Sequence, residues 1–288
     1  MIHSVAPSPP SARRARDYLR LYRVLDWLHF LPLPLAGWLA GEARSARALA
    51  GGLLGWGLAL AYMSAINQAF DDQLDRPAGK NPVGARFDRR TAVLLALPAA
   101  LGAVLAVACL APAGVLPTLL LLAAATVYSA PPRLKRVPLV GTLWNVVIAL
   151  PGLFVADRAS LDRAPLRVLV ALFALLLLVS QLIHEAEDRD DDRAGGVSTV
   201  AVLLGARGAL ALAAAVLAAL PGVTWWLSGG LPRRGSLVAV VALFAALWLW
   251  VLGSIVRRGA VTGLRPVRLR YRYAALALGA FAFAATLR

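Results

Sequence analysis

The sequence predicts an all-α, polytopic membrane protein of nine transmembrane helices, and three observations carry that prediction. The 288 residues are 60% hydrophobic with a mean hydropathy of +0.70, whereas the apolar share of a soluble domain lies nearer half. The apolar residues fall in runs of roughly 20, the length a helix needs to cross about 30 Å of hydrocarbon. The formal charge of +15 is distributed between these runs.

In chain order, the first span, 21–40, ends at the polar "GEARSA", and the second, 46–66, runs into a polar connection at 67–90. The third, 91–111, turns at "AP" into the fourth, 113–129, which leads to "YSAPPRLKR". The fifth, 138–156, stops at "DRASLDRAP", and the sixth, 165–184, enters the acidic stretch 185–202. The seventh, 203–227, is joined to the eighth, 236–255, by "SGGLPRRG", and an arginine-rich connection at 256–270 precedes the ninth, 271–287. No loop is long enough for a soluble domain. Residues 1–20, rich in Pro, Ser and Arg, read as a flexible cytoplasmic tail, and 21–288 as a single membrane domain.

With the amino terminus inside, 22 of the 30 basic residues fall on the cytoplasmic side, as basic residues do in membrane proteins. This gives N-in, C-out and explains the positive charge without nucleic acid. The six arginines from Arg257 to Arg272 also suit anionic lipid headgroups. Cys109 is the sole cysteine, so the chain has no internal disulfide or thiolate metal site.

Nine of the fifteen acidic residues lie in two stretches, Asp71 to Asp75 and Glu185 to Asp192, both at cytoplasmic helix ends. Asp71 and Asp188, and again Asp75 and Asp192, are 117 residues apart. The same Asp-x-x-x-Asp unit thus recurs four helices on, which suggests two four-helix halves plus a ninth helix. Steps of four return to one helix face, so Asn67, Asp71 and Asp75 form one row and Asp188 and Asp192 another. Like charges so spaced repel and call for a cation between the rows. Hard oxygen donors without His or Cys favour Mg²⁺, which keeps positions for water and substrate phosphate. The rows therefore predict a Mg²⁺–diphosphate site with Asn67, Asp71, Asp75, Asp188 and Asp192 as metal ligands and catalytic groups. For the diphosphate's far side the nearby candidates are Lys80, Tyr128, Arg133, Lys135 and Arg23, the last at the start of the first span. A rival reading makes the rows ion ligands of a cation transporter, although such sites usually sit near the bilayer midplane.

Asn67-x-x-x-Asp71-x-x-x-Asp75 after helix 2, "YSAPPRLK" after helix 4, "EDRDDDRAGGVST" after helix 6 and the count of nine helices resemble the UbiA-type intramembrane prenyltransferases. The resemblance spans nearly the whole chain, and Gly196 and Thr199 match the Gly and Thr that follow the second motif. Gln68 and Glu185 depart from the common pattern: Gln68 stands where many members have a second acid directly after the Asn, and Glu185 where Asp is often found. The resemblance implies a bundle around a central cavity open sideways to lipid. The longer polar connections at 67–90, 185–202 and 256–270 all lie on the cytoplasmic side, so the site is expected to face the cytoplasm, in a bacterial-type inner membrane. It implies transfer of an isoprenoid chain from a prenyl diphosphate to an aromatic, quinone-precursor or other lipophilic acceptor, with two Mg²⁺ ions. A UbiA-like terpene cyclase is the alternative outcome of the same ionisation. Trp27, Phe30, Tyr62, Phe70 and Trp144 are candidates to face the allylic cation, and Asp72 or Glu185 to take up the final proton.

Overall fold

The computed structural model describes residues 19–41, 45–71, 83, 88–157, 161, 163–259 and 263–286. Asp72, Asp75, Lys80 and the tail up to residue 18 lie outside the described residues. Helices α1 (Leu28–Ala40), α2 (Ala46–Phe70), α3 (Arg89–Leu110), α4 (Pro112–Ser129), α5 (Val140–Leu153), α6 (Ala164–Ala194), α7 (Val200–Leu227), α8 (Arg234–Arg257) and α9 (Arg265–Thr286) follow in order. Six of them, α2, α3, α4, α6, α7 and α8, are long and apolar enough to cross a membrane; α1 and α5 are shorter, and α9 opens with the charged run "RPVRLRYRY". Leu94, Leu97, Leu101 and Leu105 of α3, and Leu243, Leu247 and Trp250 of α8, are exposed. Such stripes in water mark interaction surfaces or aggregation sites; against acyl chains they are at no disadvantage.

The structure departs from the expected spans where proline or charge intervenes. The expected helix over 21–40 is broken at Arg23, whose backbone is left-handed (φ 46°, ψ 40°), and resumes as a short turn, Val24–Trp27. A 3₁₀ turn at Leu28–Phe30 follows, and the α-helix proper restarts at Pro32, a residue that lacks an N–H and cannot continue the turn before it. The break is pinned by Trp27 Nε1, which donates to Tyr22 O at 2.7 Å, and by the Tyr22 hydroxyl, which donates to Leu95 O of α3 at 2.8 Å.

Of the expected 138–156 span, only Val140–Ala149 is α-helical; Pro151 and Gly152 turn the rest into a 3₁₀ segment, Leu150–Leu153. The chain beyond does not emerge at once. Leu153, Val155 and Ala156 are fully buried, wedged against α1, α2 and the turn between α3 and α4. Two glycines make room for the wedge: a Cβ on Gly37 would stand 1.8 Å from Leu153 O, and one on Gly114 2.0 Å from Val155 O. Neither neighbour is a flexible side-chain tip. Gly37→Ala and Gly114→Ala are therefore expected to lower the thermal midpoint in detergent, each costing about 1–3 kcal/mol or more. Gly222→Ala, with nothing within 4 Å, serves as control and is expected to hold or raise the midpoint.

One buried core joins α6, α7, α8 and α9 through Leu176, Leu182, Leu210, Leu217, Trp248 and Tyr271. A second gathers Trp56, Leu60, Leu121, Ile148 and Leu153 from α2, α4 and α5. The cores thus divide between α5 and α6, whereas the sequence echo divides the chain one helix earlier. Helix α6 runs past the expected end at 184 to Ala194, 31 residues in all. At about 1.5 Å per residue it measures roughly 46 Å, well over the ~30 Å of a hydrocarbon core, so its last turns carry the acidic stretch as rigid helix.

Candidate active site

The carboxyl ends of α2, α4 and α6 meet the amino ends of α5, α7 and α9 at one end of the bundle. Asp71 closes α2, its N–H bonded to Asn67 O at 3.0 Å. A carboxylate at a helix carboxyl terminus faces the negative end of the backbone dipole, and here cations compensate. The Lys135 ammonium contacts Asp71 Oδ1 and lies 3.2 Å from Asn67 Oδ1, and Arg133 Nη2 stands 3.6 Å from Asp71 Oδ1. Asp71 and Lys135 are largely buried, with side chains 13% and 9% exposed. Both cations come from the turn between α4 and α5, where Arg133 adopts a left-handed backbone (φ 61°) ahead of the 3₁₀ turn Leu134–Arg136. Arg133 also donates to Phe70 O, capping α2.

Asn67 Oδ1 accepts from Ser129 Oγ at 3.2 Å, so this amide also links α2 to α4. Gln68, one of the two departures from the pattern of the family it resembles, is buried and donates to the carbonyls of Arg20, at 3.0 Å, and Leu21. It fastens the entering chain to α2. Asn67, Asp71, Arg133, Lys135 and Tyr128 are thus brought together.

The second acidic stretch sorts its side chains by helix face. Glu185 is buried: Oε1 accepts from Thr142 Oγ1 of α5 at 2.7 Å and from Gln181 Nε2 at 3.1 Å, while Oε2 accepts from Val200 N, the start of α7, at 3.1 Å. This carboxylate staples three helices. Asp190 pairs with Arg189 on the exposed side. Ser180, His184, Asp188 and Asp192 share the remaining face at steps of four, and His184 Nδ1 lies 3.2 Å from Asp188 Oδ2. The Thr199 hydroxyl bonds Asp192 and accepts from Val202 N at 3.3 Å, while Gly196, at φ 67°, takes the left-handed turn that ends α6, a conformation glycine adopts without steric cost.

Tyr128 lies near both rows. Its hydroxyl accepts from Asn145 Nδ2 at 2.7 Å and is within electrostatic reach of Asp71, Glu185 and Asp192. Arg23 lies within reach of His184. The structure therefore groups Asn67, Asp71, Tyr128, Arg133, Lys135, Asp188, Asp192 and Arg23 at one end, with Asp75 and Lys80 outside the described residues. Sequence reasoning missed Ser129, Thr142, Asn145, Gln181, His184 and Arg268. For Asn145, Gln181 and His184 the signal was there: polar groups inside apolar runs are expensive and need partners.

Below this end, a cavity of about 270 Å³ opens between α1, α6 and α9. Its lining is almost wholly apolar, with Phe30, Phe173 and Phe283 among many leucines, and His29, Ser180 and Arg272 as polar members. Of the five candidate aromatics only Phe30 borders it. Trp144 instead donates to Ala124 O at 2.9 Å, Tyr62 bonds Thr126 Oγ1 at 2.7 Å, and Phe70 carries the Arg89 guanidinium 5.4 Å from its ring centre.

A sequence model of the UbiA prenyltransferase family matches residues 30–265. Curated protein sequences give no significant match. Among solved structures, a UbiA homolog from Archaeoglobus fulgidus bound to DMAPP and Mg²⁺ superposes with a TM-score of 0.75 at 19% identity, covering 94% of this chain and 99% of that one. A digeranylgeranylglyceryl phosphate synthase gives 0.70 at 13% identity, covering 96% and 99%. The apo UbiA homolog from Aeropyrum pernix K1 gives 0.62 at 22% identity, covering 91% and 97%. At these identities the likeness is one of fold.

Proposed function

We propose that this chain, which belongs to the UbiA prenyltransferase family, is a Mg²⁺-dependent intramembrane prenyltransferase that moves an isoprenoid chain from its diphosphate to a lipophilic acceptor. The observation that supports this most is the placement of Asn67, Asp71, Lys135 and Arg133 at the same end of the bundle as Asp188 and Asp192, with Tyr128 near both rows and an apolar cavity that reaches Ser180, two turns before Asp188 on α6. The membrane domain is 21–288, in a bacterial-type inner membrane with the site facing the cytoplasm, and the acceptor is an aromatic, quinone-precursor or other lipid.

The donor set fits a hard divalent ion. Asp71, Asp188 and Asp192, with Asn67 and Asp75, offer oxygen ligands, and the Lys135 ammonium already lies between Asn67 Oδ1 and Asp71, so the first row attracts a cation. A Mg²⁺ ion held by these residues would supply charge neutralisation for the leaving diphosphate. The chain's own groups do the rest. Lys135, Arg133 and Arg23, with Lys80, present positive charge to the phosphate oxygens, where preorganised charge is most effective in a site closed to water. Tyr128, held by Asn145, offers its hydroxyl to the same oxygens. The leucines and phenylalanines of the cavity receive the prenyl chain and keep water from the cation. Glu185 is spoken for by three donors and takes no proton in this scheme.

The test is to incubate the purified protein with MgCl₂ and a panel of allylic diphosphates and acceptors, following prenylated products by mass spectrometry and diphosphate release. Product formation that stops when EDTA replaces MgCl₂ is the expected result. Absence of diphosphate release under every combination would refute the reading.

A further inference from the structure

Helix α9 begins where the family match stops, at 265, yet its first turns reach the second acidic row. Arg268 Nε stands 3.3 Å from Glu187 Oε2 in an ion pair whose side chains are 14% and 15% exposed. Arg268 Nη1 also contacts His184 Nδ1. One turn on, Arg272 Nε donates to Ser180 Oγ at 3.3 Å. The contacts run antiparallel, Arg268 against His184 and Glu187, Arg272 against Ser180, so two turns of α9 lie along the face of α6 that carries Asp188.

Ligand atoms of His184, Glu187 and Asp188 all lie within 4.8 Å of one another. Three such groups compete for one cation, and the two neighbouring carboxylates repel. Arg268 bears on that competition: its permanently charged guanidinium pairs with Glu187 Oε2 at 3.3 Å and contacts His184 Nδ1, the same ring nitrogen that lies 3.2 Å from Asp188 Oδ2. Asp188 and Asp192 remain one step of four apart on the same face.

We infer that Arg268 is a positioning residue for the metal-binding row, acting by neutralising Glu187 so that Asp188 and Asp192 hold the divalent ion. The inference rests on the prenyltransferase reading above. Groups that orient metal ligands typically change metal affinity 10–100-fold when removed.

The test is Mn²⁺ titration of the full-length protein in detergent with geranyl diphosphate present, free ion being read by electron paramagnetic resonance. Arg268→Met is expected to weaken Mn²⁺ binding by about 10–100-fold. Arg268→Lys, which keeps the charge without the fork, should fall between, and it carries the test if Arg268→Met does not fold. Adding Glu187→Gln to Arg268→Met should restore much of the affinity, a rescue that a general packing defect would not allow. Parental Mn²⁺ affinity in Arg268→Met, or in Arg268→Lys where only that variant folds, overturns the inference, as does failure of Glu187→Gln to restore affinity in a folded double variant. A parent chain that binds no Mn²⁺ with geranyl diphosphate present sinks the prenyltransferase reading itself, a separate result from the first two.

Discussion

Asp71→Ala and Asp188→Ala are each expected to cut Mg²⁺-dependent diphosphate release from geranyl diphosphate by about 10²–10³-fold, the usual loss when a preorganised charge-stabilising group is removed. Asp71 stands at the foot of α2 between two cations, and without it Lys135 is left as a largely buried ammonium beside Asn67. Asp188 lies within the last turns of α6, 3.2 Å from His184 Nδ1. Because both rows would serve the same ions, the double variant should lose little more than either single one, since residues acting as a unit are far from additive. Asp190→Ala is the control: that carboxylate faces outward and pairs with Arg189, and its loss should leave the rate within about twofold, as surface changes typically fall within ±0.5 kcal/mol. Rates are read by phosphate release with added pyrophosphatase, alongside thermal midpoints. Full activity in folded Asp71→Ala and Asp188→Ala would leave the rows without a catalytic role.

Glu185→Ala is expected to be the most destabilising single change at this end of the bundle. Its carboxylate accepts from Thr142, Gln181 and the Val200 N–H and is almost wholly shielded, at 4% exposure. Removing it orphans three donors, and each buried group left unsatisfied costs about 1–3 kcal/mol. With some relaxation the total should exceed about 3 kcal/mol. Glu185→Gln keeps one acceptor oxygen but turns an NH₂ toward another donor, so it should recover only part of the loss. Thermal unfolding in detergent measures both. An unchanged midpoint with abolished activity would make Glu185 a participant in the chemistry instead of a staple.

The acidic rows were legible in the sequence because their signal is local: polar residues at steps of four, just where an apolar run ends, need no knowledge of the partner helix. The length of α2, α3, α7 and α8 was legible for the same reason. What the sequence concealed depends on contacts between distant segments. Arg268 is one arginine of six in a basic stretch, and nothing local separates the one that meets Glu187 from those that meet solvent. Arg23 sits in an apolar-looking run, and its left-handed backbone reflects the anchoring of Tyr22 and Trp27 on their surroundings. The shortness of α5 was half legible: Pro151 and Gly152 announce a break, but only the gaps over Gly37 and Gly114 show that the chain stays buried beyond it. Glu185 and Asp188 look alike on paper, and only the face each occupies on α6 makes one a structural tie and the other a ligand candidate.

The arrangement of charged end above oily cavity also has a consequence for how a substrate is obtained. An amphiphile that leaves a bilayer loses about 0.8 kcal/mol for every methylene brought into water, so a ten-carbon chain would resist extraction by roughly 8 kcal/mol. A cavity between α1, α6 and α9 with Phe30, Phe173 and Phe283 in its walls, and Ser180 and Arg272 among its polar members, would let such a molecule change neighbours without changing solvent. Its tail passes from acyl chains to side chains while its head stays at the aqueous boundary. On the proposed reading the protein works at a phase boundary, and the concentration that governs its rate is the surface density of substrate in the membrane, to be expressed per lipid and not per litre.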